Sequence, residues 1–451
     1  MGSDWRGGLC RPNRARRCCK IELLFPTQIK LAQSDAKSQL LTAPKFLRSK
    51  EQNARRIHLY IWGVLGYVSD IKKSLIFYNT VFLEMGRSIS LLRREVMTAA
   101  EINMDKLHAF VGKMLGDLGG AMSVPTVRIG IRLGLFDALA EQPATSADLA
   151  KRTGLAERYV REWAMAQACN GYLGLDAASD EFSLSPEAAM VFAIKDSPVY
   201  LAGAFDLVAA MIEAEPMVED AFRTGNGVGW GETGGCLFCA VGAFFRPGYV
   251  NNIVQSWIPA LDGVEAKLIK GGRVADIGCG IGFSTLLMAR AYPEAEFIGY
   301  DFHEPSIADA RQHASEHGLA DRVRFEVARA KDIGEGEFDL ITAFDCLHDM
   351  GDPEGCARHL HTRLKADGTW LICEPIAADR PVDNVGSPVS RLYYNASTMI
   401  CVPTSLDQEV GAALGAQAGE ATLTEMLRSA GFGSVRRATE GPFNMILEAR
   451  P

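Results

Sequence analysis

A glycine-rich turn between a short apolar strand and a helix constrains this chain more than any other feature. The turn runs from Asp276 to Gly282, reads D-I-G-C-G-I-G, and overlaps the end of the apolar stretch Arg273–Ile277. From Gly271 onward, short apolar runs alternate with helical patterns, as in a doubly wound parallel sheet. Glycines let the backbone bend tightly here and let a ligand approach main-chain N–H groups at a helix start. We therefore predict an α/β domain over residues 266–451, with its ligand at this turn.

The glycine spacing and two acidic residues narrow the kind of ligand. A nicotinamide site follows G-x-G-x-x-G, which would place its third glycine where this chain has Phe283. Asp276 puts a negative charge at the strand end, which disfavours a pyrophosphate and favours an ammonium or sulfonium group. Asp301 closes the next predicted strand, where a carboxylate suits the two hydroxyls of a ribose. The pattern argues against an NAD-binding oxidoreductase and favours a cofactor with a ribose and a positive charge.

Residues 104–195 have the pattern of a winged helix. Thr145–Gly154 reads as an N-cap, a short helix and a glycine stop, and a second helix is predicted over Ala156–Asn170. Two short strands come next, Tyr172–Leu175 and Glu181–Leu184, around a polar turn.

Charge argues against nucleic acid as the partner of this segment. A winged helix that reads DNA needs cations on its recognition helix and wing. Here Arg158 and Arg161 lie beside Glu157 and Glu162, and the predicted wing is acidic. The whole chain has 47 basic and 55 acidic residues, with the basic excess confined to residues 1–96, so the remainder repels a polyanion. We expect dimerisation through residues 104–195, and a DNA-reading regulator that binds a nucleotide-like ligand stays open as the alternative.

The first part of the chain differs in character from the rest. Its start is arginine-rich, which fits either a transit peptide or a start codon assigned too far upstream, with Met97 or Met104 as the natural start. We expect residues 1–96 to be a poorly ordered or non-native extension without chemistry. No apolar run reaches the roughly 20 residues that cross a membrane. The scattered cysteines and the lack of a visible secretory signal indicate reduced thiols and a cytoplasmic location, away from membranes.

The glycine-rich turn followed by Asp301 resembles the class I S-adenosylmethionine-dependent methyltransferases, over about Leu268 to Pro451. With the winged-helix segment in front, the chain also resembles small-molecule O-methyltransferases, most of all a mycobacterial-type subgroup. The resemblance implies a doubly wound, seven-stranded sheet whose last strand is antiparallel, preceded by an α-helical winged-helix domain. It also implies an S-adenosylmethionine-dependent methyltransferase that acts on a small-molecule acceptor and forms a homodimer.

The resemblance assigns the cofactor contacts as well. The residues that it implies for S-adenosylmethionine are Asp276, Gly278, Cys279, Gly280, Gly282, Asp301, Phe302, Ala330 and Asp345. Asp276 would lie near the amino group, Asp301 would hold the ribose, and Phe302 would lie by the adenine unless it only packs in the core. The family often has an acid near the adenine amine, at the position of Arg329. Asp332 or a main-chain group near Ala330 is therefore left to recognise the adenine.

His348 and Asp349 come after the predicted strand Phe338–Phe344, at the edge where open α/β sheets bind ligands. Methyl transfer mainly requires alignment and exclusion of water, but a hydroxyl acceptor must also lose its proton. An imidazole suits that task, and the pair resembles the His-Asp of plant-type O-methyltransferases, whose histidine is the base. We predict His348 as the base. A helix-capping histidine and a base-free N- or C-methyltransferase stay open, and metal binding with Asp352 ranks third, so no metal site is predicted.

Aromatic residues are predicted to line the acceptor cavity. The helical connector, residues 196–265, contributes Trp230, Phe245 and Tyr249. The insertion Ile376–Glu420 has the length of a functional lid, its candidate substrate contacts are Arg391, Tyr393 and Tyr394, and Tyr394 is the predicted one. Glu374, at the end of the fifth predicted strand, is a further polar candidate. The predicted function is O-methylation of a small, largely apolar hydroxylated compound.

Overall fold

The computed structural model describes residues 102–233, 237–334 and 336–451, and Leu115–Pro451 belong to one compact unit. The prediction that residues 1–96 are a poorly ordered or non-native extension lies outside the described residues. Among the helices in the described ranges, none combines the length and the apolar character of a membrane-spanning segment.

The winged helix predicted from the sequence is confirmed. Its elements are α1 (Met104–Arg132), α2 (Leu135–Glu141), α3 (Ser146–Thr153), α4 (Glu157–Cys169), β1 (Gly174–Leu175), β2 (Phe182–Ser183) and α5 (Pro186–Phe192). The Thr145 hydroxyl caps α3 by accepting a hydrogen bond from the Asp148 N–H, and Gly154 ends the helix in the left-handed conformation. The strands β1 and β2 pair antiparallel as the wing.

Two long helices connect the winged helix to the α/β domain. The segment contains α6 (Ala202–Thr224), α7 (Leu237–Asn252), a π-helical turn (Ile253–Trp257) and α8 (Val264–Ile269). A Cβ at Gly203 would lie 2.5 Å from the backbone of Ala243, so only glycine allows α6 and α7 to approach this closely. Six cysteines of the described ranges are free thiols, namely Cys169, Cys279, Cys346, Cys356, Cys373 and Cys401.

The α/β domain has the predicted seven-stranded sheet. Its elements are β3 (Arg273–Ile277), α9 (Phe283–Ala291), β4 (Glu296–Asp301), α10 (Glu304–Glu316), β5 (Val323–Val327), β6 (Phe338–Phe344), α11 (Pro353–His361), β7 (Leu364–Pro375), α12 (Pro388–Ala396), α13 (Val402–Leu406), α14 (Glu420–Ser429), β8 (Ser434–Glu440) and β9 (Asn444–Arg450). The strand order is β5-β4-β3-β6-β7-β9-β8, and β9 runs antiparallel to both neighbours. The order reverses between β3 and β6, the place where such sheets bind ligands.

Apolar residues on both faces of the central strands bury the sheet. Along β3, Val274 belongs to one core cluster and Ala275 to the cluster on the other face. Leu340 and Ile341 alternate in the same way along β6. This two-sided burial is why these strands read as continuous apolar runs.

The insertion Ile376–Glu420 is largely helical rather than the loop that its length predicts. It contains a 3-10 turn (Pro381–Asn384), α12, a π-helical turn (Ser397–Cys401) and α13. Ser387 caps α12 by accepting from the Ser390 N–H, and Pro388 occupies the first helical turn. A serine followed directly by proline is a helix-start signal, so the sequence does carry a sign of this helix.

Candidate active site

The glycine-rich turn forms a shallow cradle at the end of β3. Gly278, Gly280 and Gly282 all have positive φ, at 65°, 52° and 80°. A Cβ at Gly278 would lie 2.7 Å from the Cys346 sulfur, whereas nothing lies within 4 Å of a Cβ at Gly280. The space beside Gly280 is therefore open for a ligand to lie against the main chain.

Asp276 lies beneath this turn, and its carboxylate accepts hydrogen bonds from three neighbouring hydroxyls. Its Oδ2 accepts from the Ser284 and Thr285 hydroxyls at 2.6 Å each, and its Oδ1 accepts from the Thr342 hydroxyl at 2.7 Å. Burial raises the pKa of Asp276, and the three hydroxyls oppose that rise. The structure thus places Asp276 in a buried network that ties the turn to β6, and not on a ligand-binding surface.

Gly282 also has a packing role. A Cβ there would lie 2.6 Å from the ring of Phe325 and 2.9 Å from Ala310, so glycine allows α9 to begin close to the core. Like Asp276, Gly282 does not lie on the cavity wall, and the structure supports neither residue as a direct cofactor contact.

Asp301, at the end of β4, faces the cradle. Its two carboxylate oxygens accept from the Gly280 N–H at 2.9 Å and the His303 N–H at 2.8 Å. These bonds fix the carboxylate, which lies on the cavity wall beside Phe302. Each carboxylate oxygen can accept a second hydrogen bond, so the open cradle and this carboxylate fit a ligand with a ribose.

One cavity of about 340 Å³ brings most of the predicted residues together. The predicted residues on its wall are Gly278, Cys279, Gly280, Asp301, Phe302, Ala330, Asp345, His348, Asp349, Trp230, Phe245 and Tyr249. Tyr394 is not among them and is 40 % exposed, whereas its neighbour Tyr393 is 3 % exposed and lines the cavity. The sequence does not show which of these two tyrosines faces the cavity, because the buried face of α12 can be identified only once the start of the helix is known.

Asp345 is held in a strained conformation at the end of β6. Its φ is +50°, a value that few residues other than glycine adopt outside special sites. Tyr249 donates its hydroxyl to Oδ2 at 3.0 Å, and Asn444 donates its amide to Oδ1 at 2.6 Å. Burial and the nearby Glu374 carboxylate raise the pKa of Asp345 to about 7. Asn444, which starts β9, gave no signal in the sequence.

His348 lies between two carboxylates. Its Nδ1 is 2.5 Å from Oε2 of Glu374, and its Nε2 is 3.3 Å from Oδ1 of Asp349. Glu374 also accepts from the Leu347 N–H at 3.0 Å, which fixes the carboxylate. Burial alone would lower the pKa of His348, but the charges of Glu374 and Asp349 outweigh burial and hold that pKa well above its usual range.

The same geometry settles the helix-capping alternative. Asp352 caps α11, because its Oδ1 accepts from the Gly355 N–H at 2.9 Å. His348 instead lies buried in a 3-10 turn (Leu347–Asp349) with its ring held by Glu374. The histidine is therefore positioned for the cavity and not for a helix terminus.

A third side chain, Cys401 of the second π-helical turn, completes a group with His348 and Asp349. One potential ligand atom from each residue lies within 4.8 Å of the other two. Cys401 is a free thiol, and its approach could not be predicted because it comes from the insertion. Nitrogen, oxygen and sulfur donors suit zinc, so the prediction of no metal site needs a direct test.

The wall formed by the residues after β5 is charged. Arg329 pairs with Asp332 at 2.5 Å and with Glu409 at 3.3 Å, and Lys331 pairs with Asp352 at 3.0 Å and also with Glu409. Arg329, Lys331, Asp352 and Glu409 lie on the cavity wall, whereas Asp332 does not. Of the two groups left to recognise an adenine, the structure therefore brings Ala330 to the cavity and leaves Asp332 outside it.

Two known protein families match separate parts of the chain. Residues 268–431 match the family described as methyltransferase domain, and residues 121–193 match the family described as Rv2258c-like winged HTH domain. A curated relative, the ubiquinone biosynthesis O-methyltransferase of Neisseria meningitidis serogroup C, is 36 % identical over 104 residues, which are 22 % of this chain and 42 % of the relative. The chain spans from about a quarter to about half of the length of the curated relatives that it matches.

Solved structures share the fold over most of the chain. The mitomycin 7-O-methyltransferase MmcR is 20 % identical, with a TM-score of 0.57 over 77 % of this chain and 100 % of that one. Human N-acetylserotonin methyltransferase, solved in complex with SAM, is 18 % identical, with a TM-score of 0.57 over 78 % of this chain and 99 % of that one. At this level of identity the comparison establishes a common fold.

Proposed function

The chain carries a methyltransferase domain behind an Rv2258c-like winged-helix domain, and from this premise we propose that it O-methylates a small, largely apolar hydroxylated compound with S-adenosylmethionine as the methyl donor. The observation that carries the proposal is the single cavity that joins the open cradle and Asp301 to the buried His348. The residues that fit a cofactor and the residue that would accept the proton thus line the same cavity, an arrangement that O-methylation requires.

Each part of the cofactor has a fitting group in the cavity. The main chain at Gly278 and Gly280 would hold the methionyl part, Asp301 would accept hydrogen bonds from the ribose hydroxyls, and Phe302 would lie by the adenine. When bound, S-adenosylmethionine supplies a methyl group on a sulfonium that leaves readily.

His348 is the proposed base. The acceptor hydroxyl gives its proton to Nε2 as its oxygen becomes the nucleophile, and the imidazolium that forms is stabilised by Glu374 at Nδ1 and by Asp349. Only the neutral imidazole can accept this proton, and the flanking carboxylates disfavour that form because they raise the pKa of His348. The site therefore favours an acceptor whose own hydroxyl is acidic, such as a phenol.

The acceptor side of the cavity is aromatic. Phe245 and Tyr249 stack with ring centroids 5.8 Å apart on α7, and Trp230 and Tyr393 lie on the same wall. Aromatic walls favour flat apolar compounds.

A homodimer through the winged-helix domain is the proposed assembly. On α1, Leu115, Leu118, Met122 and Ile129 recur at helical spacing and are exposed, Met122 by 76 %. A stripe of this kind is an apolar surface that a second copy of the chain would cover. The double variant Leu118→Glu, Met122→Glu should be a monomer in analytical ultracentrifugation, and a dimer that survives both substitutions would argue against this face.

The winged helix is proposed not to bind DNA. On α4, the two arginines Arg158 and Arg161 pair with Glu162 and Glu157 on their own helix, which leaves few cations for phosphates. Steeply salt-dependent DNA binding in a gel shift, without methyl transfer to any acceptor, would favour the regulator alternative instead.

A radiolabelled methyl donor offered with a panel of phenols, amines and thiols tests the enzymatic proposal. We expect label in phenols and none in the amines of matched shape. Label only in amines or at carbon would replace the O-methylation proposal, and the absence of cofactor uptake in calorimetry would overturn the cofactor proposal itself.

A further inference from the structure

The residues after β5 form the wall next to Phe302. Val327, the last residue of β5, pairs with Asp301 in the parallel ladder, so the chain leaves the sheet beside the proposed ribose site. The next residues, Ala328 to Lys331, all lie on the cavity wall. The adenine of a cofactor whose ribose is held by Asp301 would meet this wall.

This wall carries donors and lacks an acceptor side chain of its own. Arg329 and Lys331 only donate hydrogen bonds, whereas the exocyclic amine of adenine needs an acceptor. Asp332 pairs with Arg329 outside the cavity. An acceptor for the amine must therefore come from the main chain or from another segment.

Such a segment comes after α13, and we name residues 407–415 the strap. Its Glu409 lies on the cavity wall, where its carboxylate pairs with both Arg329 and Lys331. Arg329 and Lys331 therefore hold a carboxylate from a distant part of the sequence. That carboxylate lies on the wall where the family often has an acid and this chain has Arg329.

The strap is held firmly in this position. Gln408 donates from Nε2 to the Asp349 carbonyl at 2.8 Å and accepts at Oε1 from the Gly351 N–H at 3.1 Å. Ala412 donates its N–H to the Gly351 carbonyl at 2.8 Å. Val410 has a φ of 71°, a strained value for a β-branched residue, and such strain persists where surrounding contacts impose it.

Asp352 is the other carboxylate on this wall, and it differs from Glu409 in that it caps a helix and its side chain is only 20 % exposed. Its Oδ1 caps α11 through the Gly355 N–H, and its Oδ2 accepts from Lys331. Glu409 is 51 % exposed at its side chain and has one cation partner on each oxygen. Because each carboxylate oxygen can accept two hydrogen bonds, Glu409 retains acceptor capacity.

We propose that Glu409 recognises the exocyclic amine of the adenine, in place of the acid that Arg329 replaces in the sequence. This inference rests on the proposed function, since it assumes that S-adenosylmethionine binds in the cavity. Arg329 and Lys331 are positioning residues, because they act by holding Glu409.

Calorimetry with two product analogues tests the assignment without any turnover. S-adenosylhomocysteine carries the amine, and S-inosylhomocysteine carries an oxygen at the same position, which would repel a carboxylate. A hydrogen bond to a charged group contributes about 1.5–3 kcal/mol, so the native protein should prefer the adenosyl compound about tenfold or more. In Glu409→Gln the preference should fall to a few-fold or less, because an amide can also donate to the oxygen. Asp332→Asn, which also loses a carboxylate partner of Arg329, should keep the native preference.

The other outcomes are distinguishable. If Glu409→Gln weakens the binding of both compounds equally, the strap only closes the cavity. If Asp332→Asn loses the preference for the adenosyl compound, the recognition belongs to Asp332. If the native protein binds both compounds equally, the role of Glu409 is overturned but the proposed cofactor is not. A native protein that binds neither overturns the proposed cofactor as well.

Discussion

The Nδ1 atom of His348 lies 2.5 Å from the Glu374 carboxylate, and both side chains are buried. The contact joins the turn after β6 to the end of β7, two neighbouring parallel strands. Because a carboxylate only accepts, Nδ1 carries a proton, and any proton exchange with the cavity must use Nε2. The pair thus fixes both the orientation of the ring and the nitrogen that reacts.

The Glu374 charge sets the pH dependence of turnover. Glu374 and Asp349 raise the pKa of His348, so the neutral imidazole becomes abundant only as the pH rises through that raised value. Turnover of the native enzyme should therefore increase from neutral to alkaline pH. In Glu374→Gln the pKa of His348 should fall, so the rise in kcat should occur at lower pH and reach a lower plateau. A profile that does not move would contradict the pairing as a determinant of kcat.

Removing the imidazole should slow the chemistry and spare the cofactor. His348→Ala is expected to lower kcat by about 10²–10⁴-fold, the usual contribution of a general base. Affinity for S-adenosylmethionine, measured by calorimetry, should stay at the native value because the ring pairs with Glu374 and Asp349 and not with the cradle residues. Full turnover in this variant would favour a base-free mechanism or a nitrogen or carbon acceptor.

Asp301 should contribute directly to cofactor affinity. Asp301→Ala removes a charged acceptor for the ribose, and a loss of about tenfold or more is expected in calorimetry. Glu304→Ala, which removes a nearby exposed carboxylate that does not line the cavity, is the matched control and should bind normally. Unchanged affinity of the Asp301 variant, with native thermal unfolding, would refute the ribose assignment.

Much of the fold was predictable because its strands are buried on both faces. The bounds of β3 and β6, which the apolar runs Arg273–Ile277 and Phe338–Phe344 predict, coincide with the structure. For β7 the apolar pattern predicts a strand only over Thr369–Cys373, because the polar stretch Lys365–Gly368 hides the start of a strand that begins at Leu364. Pairing with β6, a tertiary interaction, extends the strand there.

The site was predictable only where it depends on topology. Asp301 and His348 come directly after parallel strands, whose carboxyl ends meet at one edge of the sheet. Cys401 and Glu409 reach the cavity from the insertion, whose path depends on packing that the sequence does not encode locally. Asp276 also lies where topology predicts, but three hydroxyls from other positions turn its carboxylate away from the ligand.

The buried network of Asp276 should support stability and not binding. Asp276→Ala leaves the hydroxyls of Ser284, Thr285 and Thr342 without their acceptor, and unsatisfied buried groups cost about 1–3 kcal/mol each. We expect the free energy of unfolding in urea to fall by about 3 kcal/mol, and Asp276→Asn to restore part of it. A variant with native stability and weak cofactor binding would reinstate Asp276 as a contact to the cofactor.

The group of His348, Asp349 and Cys401 is expected to work without a metal ion. An imidazolium donates at both nitrogens and has no lone pair for a metal, and the two carboxylates stabilise that protonated form. Elemental analysis of the purified protein should therefore find less than one zinc per chain, a chelator should leave kcat unchanged, and Cys401→Ser should retain turnover. Stoichiometric zinc that a chelator removes together with activity, and that Cys401→Ser fails to hold, would assign the acceptor's activation to a metal and not to His348.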